Sequence, residues 1–306
     1  MYRTLVILRH TFLEAVVQPI YTLLLALGAA ILVIFSLLPF FTLGEDTNMF
    51  KSVGLDVILL LVLIATLFAT SKSIYEEIED RTMLTLMSKP VTRLEVMVGK
   101  YLGILLAAGM AVAILGAIIV LCTWWRIPGD YQIRSSSLDE GELSNLFNLR
   151  RMHIYGLIPS LLLMWLQIGV LAAISVAIST RVSLVVNLPV VIILYIAGNL
   201  TRFLYPFFGD APGDPLAGRS IVVKGVAYLM SLVLPYLETF DIRSLAVMSP
   251  IKLAGTQYAE NPNAVSLGSI WSYVGVSSLY ALAYVVFALG IGMWLFRHRE
   301  LGGAEG

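Results

Sequence analysis

The sequence predicts an all-α polytopic membrane protein with about six transmembrane helices, and three observations carry that prediction. The 306 residues are 58% hydrophobic and only 13% charged, against about 25% charged in an ordinary soluble domain, so the chain cannot cover itself with polar surface. Several runs carry no charge over the roughly 20 residues that a helix needs to cross a hydrocarbon core about 30 Å thick. The charges gather instead in short segments between these runs. An unpaired charge at the bilayer centre costs at least about 2.5 to 3.5 kcal/mol on insertion scales, so those segments mark the ends of spans.

Taken in order, residues 1–16 come first. Leu5, Leu8, Phe12 and Val16 recur at three- and four-residue steps, with Arg9, His10 and Glu14 between them, which predicts an amphipathic helix lying along the membrane surface. The same charges interrupt the apolar stretch that a signal peptide would need, so this start is expected to be retained. A first span is centred on residues 22–41. The second begins near Val53, with Asp56 at the interface, and runs to Lys72. The third extends from Tyr101 to Trp125, ending on a Trp124-Trp125 pair suited to the headgroup level. The fourth lies between Arg151 and Arg181, the fifth from Val182 to about Leu200, and the last from about Ile270 to Phe296. Residues 225–237 are apolar but short and contain Pro235, so they read as re-entrant rather than spanning.

The connections differ in character. Residues 73–100 are densely charged and of helical composition with a break at Pro90, whereas 126–152 and 205–225 are rich in turn residues. The twenty Lys and Arg split about evenly between the two faces, so orientation rests on the denser packing of basic residues in the shorter, N-terminal-side segments.

The same residues exclude several functions. Twenty basic and twenty acidic residues balance to zero, so nothing favours nucleic acid as a partner. There is no GxxxxGK[ST] loop for phosphate, and no GxSxG, HExxH or CxxC. The three histidines, His10, His153 and His298, have no His or Cys at ligand spacing, so no metal site and no catalytic site is expected. Cys122 reads as a packing residue. Near absence of ionisable groups within the spans also weighs against a self-sufficient carrier or channel.

One connection stands apart. In residues 73–103 an acidic stretch is followed by Thr82, Met83, Leu84, Leu86 and Met87, a short helix with an apolar side, then by Pro90 and a second amphipathic piece around Leu94, Met97 and Val98. A short Met- and Leu-bearing helix flanked by fixed charges and bracketed by two spans suits a groove on a soluble partner. The rival reading is a solvated loop with a membrane-hugging turn.

At this point the sequence resembles the ABC-2 type transporter permeases, particularly the branch that includes the nitrous-oxide-reductase maturation permease and the gliding-motility permease. The resemblance is carried by Glu76 to Asp80, Thr82 to Leu86, Lys89-Pro90-Val91-Thr92-Arg93 and Gly99-Lys100, and extends to Glu14, to Leu234–Leu245 and to the Phe296–Leu301 close. Arg81 departs from it, standing where many members have Gly. The resemblance implies one transmembrane permease domain over 1–306, with an interfacial helix (1–16), a cytoplasmic coupling loop (73–100) and extracytoplasmic or re-entrant segments (126–152 and 205–269). It further implies a multi-pass protein of the inner (plasma) membrane with both termini cytoplasmic. Its partners would be two separate ABC ATPase subunits, which use ATP and Mg, and a second permease, identical or related. The residues meeting the ATPase would be Glu76, Glu79, Arg81, Thr82, Met83, Leu84, Leu86, Met87, Lys89, Pro90, Arg93 and Lys100. The chain itself would bind no cofactor.

A second expectation is a permease-like scaffold or assembly factor that conveys force from an ATPase to an extracytoplasmic partner docked on 126–152. Two features of the spans also carry expectations. Gly99, Gly103, Gly109 and Gly116 permit close helix approach, either between subunits or within one. Asn187 and Asn199 are expected to bond neighbouring helices rather than a ligand.

Overall fold

The computed structural model describes residues 2–38, 46–80, 91–130, 140–200, 225, 234–247, 251–252 and 264–297. Seven long helices order the chain: α1 (Tyr2–Val17), α2 (Pro19–Leu37), α3 (Asp46–Ser71), α4 (Arg93–Asp130), α5 (Glu140–Ser179), α6 (Leu184–Asn199) and α7 (Leu267–Arg297). A π-type turn, Lys72–Glu76, and a last α turn, Glu77–Glu79, prolong α3. Two short turns, Leu237–Phe240 and Arg243–Ala246, precede α7. Among the described residues, five helices are long and apolar enough to cross a membrane, within Pro19–Leu37, Asp46–Glu79, Arg93–Pro128, Leu146–Ser179 and Leu267–Arg297. The chain is thus a multi-pass, all-α membrane protein.

Local chemistry explains the boundaries. Pro19 occupies the first position of α2 and holds Gln18 in extended backbone (φ −59°, ψ 130°), because its ring disfavours helical backbone in the residue before it. That separates α1 from α2. Helix α4 opens on a reciprocal cap in which the Thr92 N–H donates to Glu95 Oε2 (3.0 Å) and the Glu95 N–H donates to Thr92 Oγ1 (3.2 Å), satisfying two donors that a helix start leaves open.

Helix α5 is the hub. Leu163, Ile168, Leu171, Ala172 and Val176 are all fully buried, and the helix packs against α3, α4, α6 and α7. Helices α2 and α7 are peripheral, showing outward faces such as Leu23 and Ile34, and Val276, Leu279 and Val286. In a bilayer these faces meet lipid, which accommodates apolar side chains at no cost.

The glycines of α4 are spent inside the chain. A Cβ on Gly99 would lie 2.9 Å from Ile7 Cγ2 and one on Gly103 only 2.7 Å from the Leu8 carbonyl oxygen, while Gly109 and Gly116 face Trp165 and Leu161 of α5 at 2.9 and 2.8 Å. This is intrasubunit packing. It also turns the predicted face of α1: Phe12 and Val16 pack against the core beside the buried Ile7, Thr11 and Ala15, while Leu5 is exposed, because the close approach at Gly99 and Gly103 draws that side of α1 onto α4.

Three other expectations change. The second span starts earlier than Val53, as α3 begins at Asp46, so Asp56 sits ten residues along the helix and pairs with Arg243 (2.5 Å). Residues 140–152, expected to form part of a loop, are the first turns of α5. There Arg150 lies over the Trp124 ring (4.5 Å) and Arg151 over Phe147 and Tyr155, so apparent loop charges are stacked on aromatics. The fifth predicted span is a helix of only 16 residues, about 24 Å long at 1.5 Å per residue, short of a full core thickness. The short apolar stretch 226–233 lies outside the described residues.

Candidate coupling site

The stems of the 73–100 segment are fastened to each other by one lysine. Lys100, on the second turn of α4, is 3% exposed. Its ammonium donates to the Ser73 carbonyl and to Ser73 Oγ (3.1 Å) and pairs with Glu77 Oε1 (2.6 Å). Ser73 lies within the π-type turn and Glu77 directly follows it, so the irregular turn of α3 coincides with the anchor of α4. Glu14 of α1 contributes a further negative charge toward this ammonium. A buried cation held by a carboxylate and two oxygens is compensated, whereas loss of the Glu77 carboxylate would leave a buried charge without its counter-ion.

Two arginines tie the end of α7 to the same region. Arg93 Nη1 donates to the carbonyls of Phe296 (2.7 Å) and Arg297 (3.2 Å), with its guanidinium 5.2 Å from the Phe296 ring centroid. Arg181, in the turn between α5 and α6, donates to the Leu295 carbonyl (2.8 Å). The last carbonyls of a helix lack intrahelical donors and carry the negative end of its dipole, so both cations are well placed. One end of the bundle thereby joins the base of the charged segment to α1, α4, the α5–α6 turn and α7.

Behind this end lies a polar layer inside the bundle. The Asn187 amide lies within 3.0 Å of the hydroxyls of Ser71, Ser175 and Ser179, and Ser175 Oγ is 2.6 Å from Thr70 Oγ1. This connects α3, α5 and α6, in keeping with the helix-to-helix role expected of Asn187. Among the described residues Asn199 bonds its own helix, donating to the Tyr195 carbonyl.

The predicted contact residues separate into groups. Glu76 and Glu79 are exposed, while Arg93 is half-buried and directed at α7 and Lys100 is enclosed. Arg81, Thr82, Met83, Leu84, Leu86, Met87, Lys89 and Pro90 lie outside the described residues. Sequence reasoning did not single out Ser73, Glu77 or Arg181, because their partners are far along the chain. At the opposite end it also missed Lys51, fully buried with its ammonium 2.8 Å from His153 Nδ1 and donating to the Val247 carbonyl (3.0 Å). Nearby, Arg126 donates to the carbonyls of Phe35, Ser36 and Leu38 and so caps α2. Among the described residues no three His, Cys, Asp or Glu side chains converge on a metal-sized site.

A helical bundle with this membrane-spanning length is that of a multi-pass membrane protein. Residues 34–301 match the ABC-2 family transporter protein family, and the chain belongs to that family. It is a membrane permease component of an ABC transporter, a class that associates with ABC ATPase subunits. Comparison with curated proteins gave no match.

Proposed function

We propose that the chain couples ATP hydrolysis by two separate ATPase subunits, working with Mg, to movement of a substrate across the inner membrane, as one half of a permease pair with both termini cytoplasmic. The motif order across Glu76–Lys100 supports kinship with the nitrous-oxide-reductase maturation and gliding-motility branch. The segment between the stems is the coupling element, with Glu76, Glu79 and Arg81 among its partner-facing charges and Met83, Leu84 and Met87 as its apolar contacts. Arg93 and Lys100 act differently from the partner contacts. They hold the base rigid, so that displacement of the segment passes into α3, α4 and α7 rather than being absorbed at the hinges.

The observation that carries this reading is the Lys100 clamp, because force is transmitted only through stems that cannot slide past one another. The test is co-purification of the tagged chain from its native membrane with ATPase assay of the recovered complex. A stoichiometric ATPase is expected, with its binding or activity falling on Arg81→Glu. Recovery of the chain alone, stable and without ATPase, would refute the proposal.

A further inference from the structure

Away from the coupling end, α3, α5, α6 and the Leu237–Ala246 segment enclose a narrow cleft with a volume of about 30 Å³. Asp56, Ser160, Gln167, Tyr195, Asn199 and Arg243 give it a polar lining, and Leu59, Met164 and Phe240 supply apolar wall. The charge of this recess and its open hydrogen-bonding groups identify what it takes.

Arg243 is spent. Its Nε donates to Asp241 Oδ1 (2.9 Å), its Nη2 to Asp241 Oδ2 (2.6 Å) and its Nη1 to Asp56 Oδ1 (2.5 Å). With two carboxylates on one guanidinium, the cluster keeps a net charge of minus one and offers no fork to an anion. Asp56 Oδ2 has no hydrogen bond among the described residues. Neither has the Gln167 amide, although that residue is only 4% exposed and lines the cleft. The amide thus opens onto the cleft, where it is available to a ligand. The Tyr195 hydroxyl is likewise without a hydrogen bond among the described residues, while Ser160 donates to the Gly156 carbonyl (2.9 Å) and keeps lone pairs to accept.

We propose that this cleft binds a primary ammonium group. Three N–H donors of an –NH3+ match acceptors at Asp56 Oδ2, Gln167 Oε1 and the Tyr195 or Ser160 oxygen. The positive charge neutralises the residual negative one, and the adjoining methylenes lie on Leu59, Met164 and Phe240. A quaternary ammonium has no donor for these oxygens and is too bulky for the space. A hard divalent cation wants six or more oxygens in its shell, and both carboxylates here are shared with Arg243. Two sources supply the same group: an aminophospholipid headgroup or the end of a free alkylamine.

The test uses the full chain in phosphatidylcholine nanodiscs, with n-butylamine as the probe and ligand-observed NMR as the readout. Saturable binding is expected, weakened about tenfold or more in both Gln167→Leu and Asp56→Asn, with no saturable binding of tetramethylammonium or butyrate. Gln167→Leu keeps side-chain volume, and Asp56→Asn keeps the Arg243–Asp241 pair, so a thermal midpoint near that of the parent separates lost binding from lost fold. Replacing part of the phosphatidylcholine by phosphatidylethanolamine distinguishes the sources: suppressed butylamine binding assigns the site to the lipid headgroup, and undiminished binding assigns it to a free amine. No saturable butylamine binding in phosphatidylcholine, binding unchanged in both variants, or equal binding of tetramethylammonium would each overturn the proposal and leave the cleft to water.

Discussion

Gly103→Ala tests how α1 is held. The added methyl would sit 2.7 Å from the Leu8 carbonyl oxygen and 2.8 Å from Thr11 Cβ, against 3.4 Å at the near edge of ordinary contact. The Leu8 oxygen is backbone and cannot rotate away, so α1 must retreat by about 0.7 Å, the difference of those distances. A gap of that size forfeits a quarter to a half of the dispersion well across the contact, here the face built on Ile7, Thr11 and Ala15. Overpacking of this kind costs about 1 to 3 kcal/mol, and the better helix propensity of Ala returns about 0.5 to 1 kcal/mol. At the middle of both ranges the expected net loss is about 1.2 kcal/mol, or roughly an eightfold rise in the open population of α1. Hydrogen exchange over residues 2–17 reads that population directly. Gly275→Ala is the control, since a Cβ there meets nothing within 4 Å, and it should leave α1 protection unchanged. Unchanged α1 protection in Gly103→Ala would refute the close-approach argument.

Other expectations follow from the same contacts. Lys100→Met leaves the Ser73 carbonyl and the Glu77 carboxylate without their cation. Because Glu77 is 24% exposed and can turn partly to water, the cost falls below the 3 to 5 kcal/mol of a fully buried pair, at about 1 to 3 kcal/mol. Thermal unfolding of the purified chain should show it, and Glu77→Gln in the same background should recover part of the loss. Asn187→Leu removes an amide shared by three serines, and increased exchange at the α6 amides should mark its loosening from α3 and α5. For Asp241, burial raises the carboxyl pKa, but hydrogen bonds from the Arg243 side chain and backbone outweigh that and hold it below the ordinary carboxylate range. A depressed folded pKa stabilises the folded state above the unfolded value, near 3.9, and that stabilisation is lost as pH falls through the folded pKa. Protection of the Leu237–Ala246 segment should therefore hold from neutral pH down to about 5 and fall only below about 4, with Asp241→Asn flattening that dependence.

The spans were legible because length and the absence of charge are local properties, and the bilayer imposes both. Contacts between distant residues were less so. Treating charges as boundary markers places Lys51 outside the bundle, yet His153 and the Val247 carbonyl, about 100 and 200 residues away, draw it in. Arg150 and Arg151 read as loop charges until Trp124, Phe147 and Tyr155 are brought beneath them. The face of α1 is legible at Phe12 and Val16 but not at Thr11, because side-chain hydrophobicity alone does not include the glycines that receive it. In residues 73–100 the acidic stem at Glu76–Asp80 could be recognised from sequence. The roles of Arg93 and Lys100 could not, since a charge that caps a distant helix and one that greets a partner look alike in one dimension.

The central claim, that an ATPase engages the segment whose base Lys100 clamps, is tested most directly by site-specific cross-linking. Cys122 is the sole cysteine, so a Cys122→Ser background accepts a single reporter at the exposed Glu79, with Val276 on the outward face of α7 as the control. In native membranes Glu79→Cys should form an adduct with an ATPase subunit, with its yield changing on addition of nucleotide, while Val276→Cys should form none. An adduct from the control alone, or no ATPase adduct at Glu79→Cys in membranes where the complex is assembled, would contradict the account.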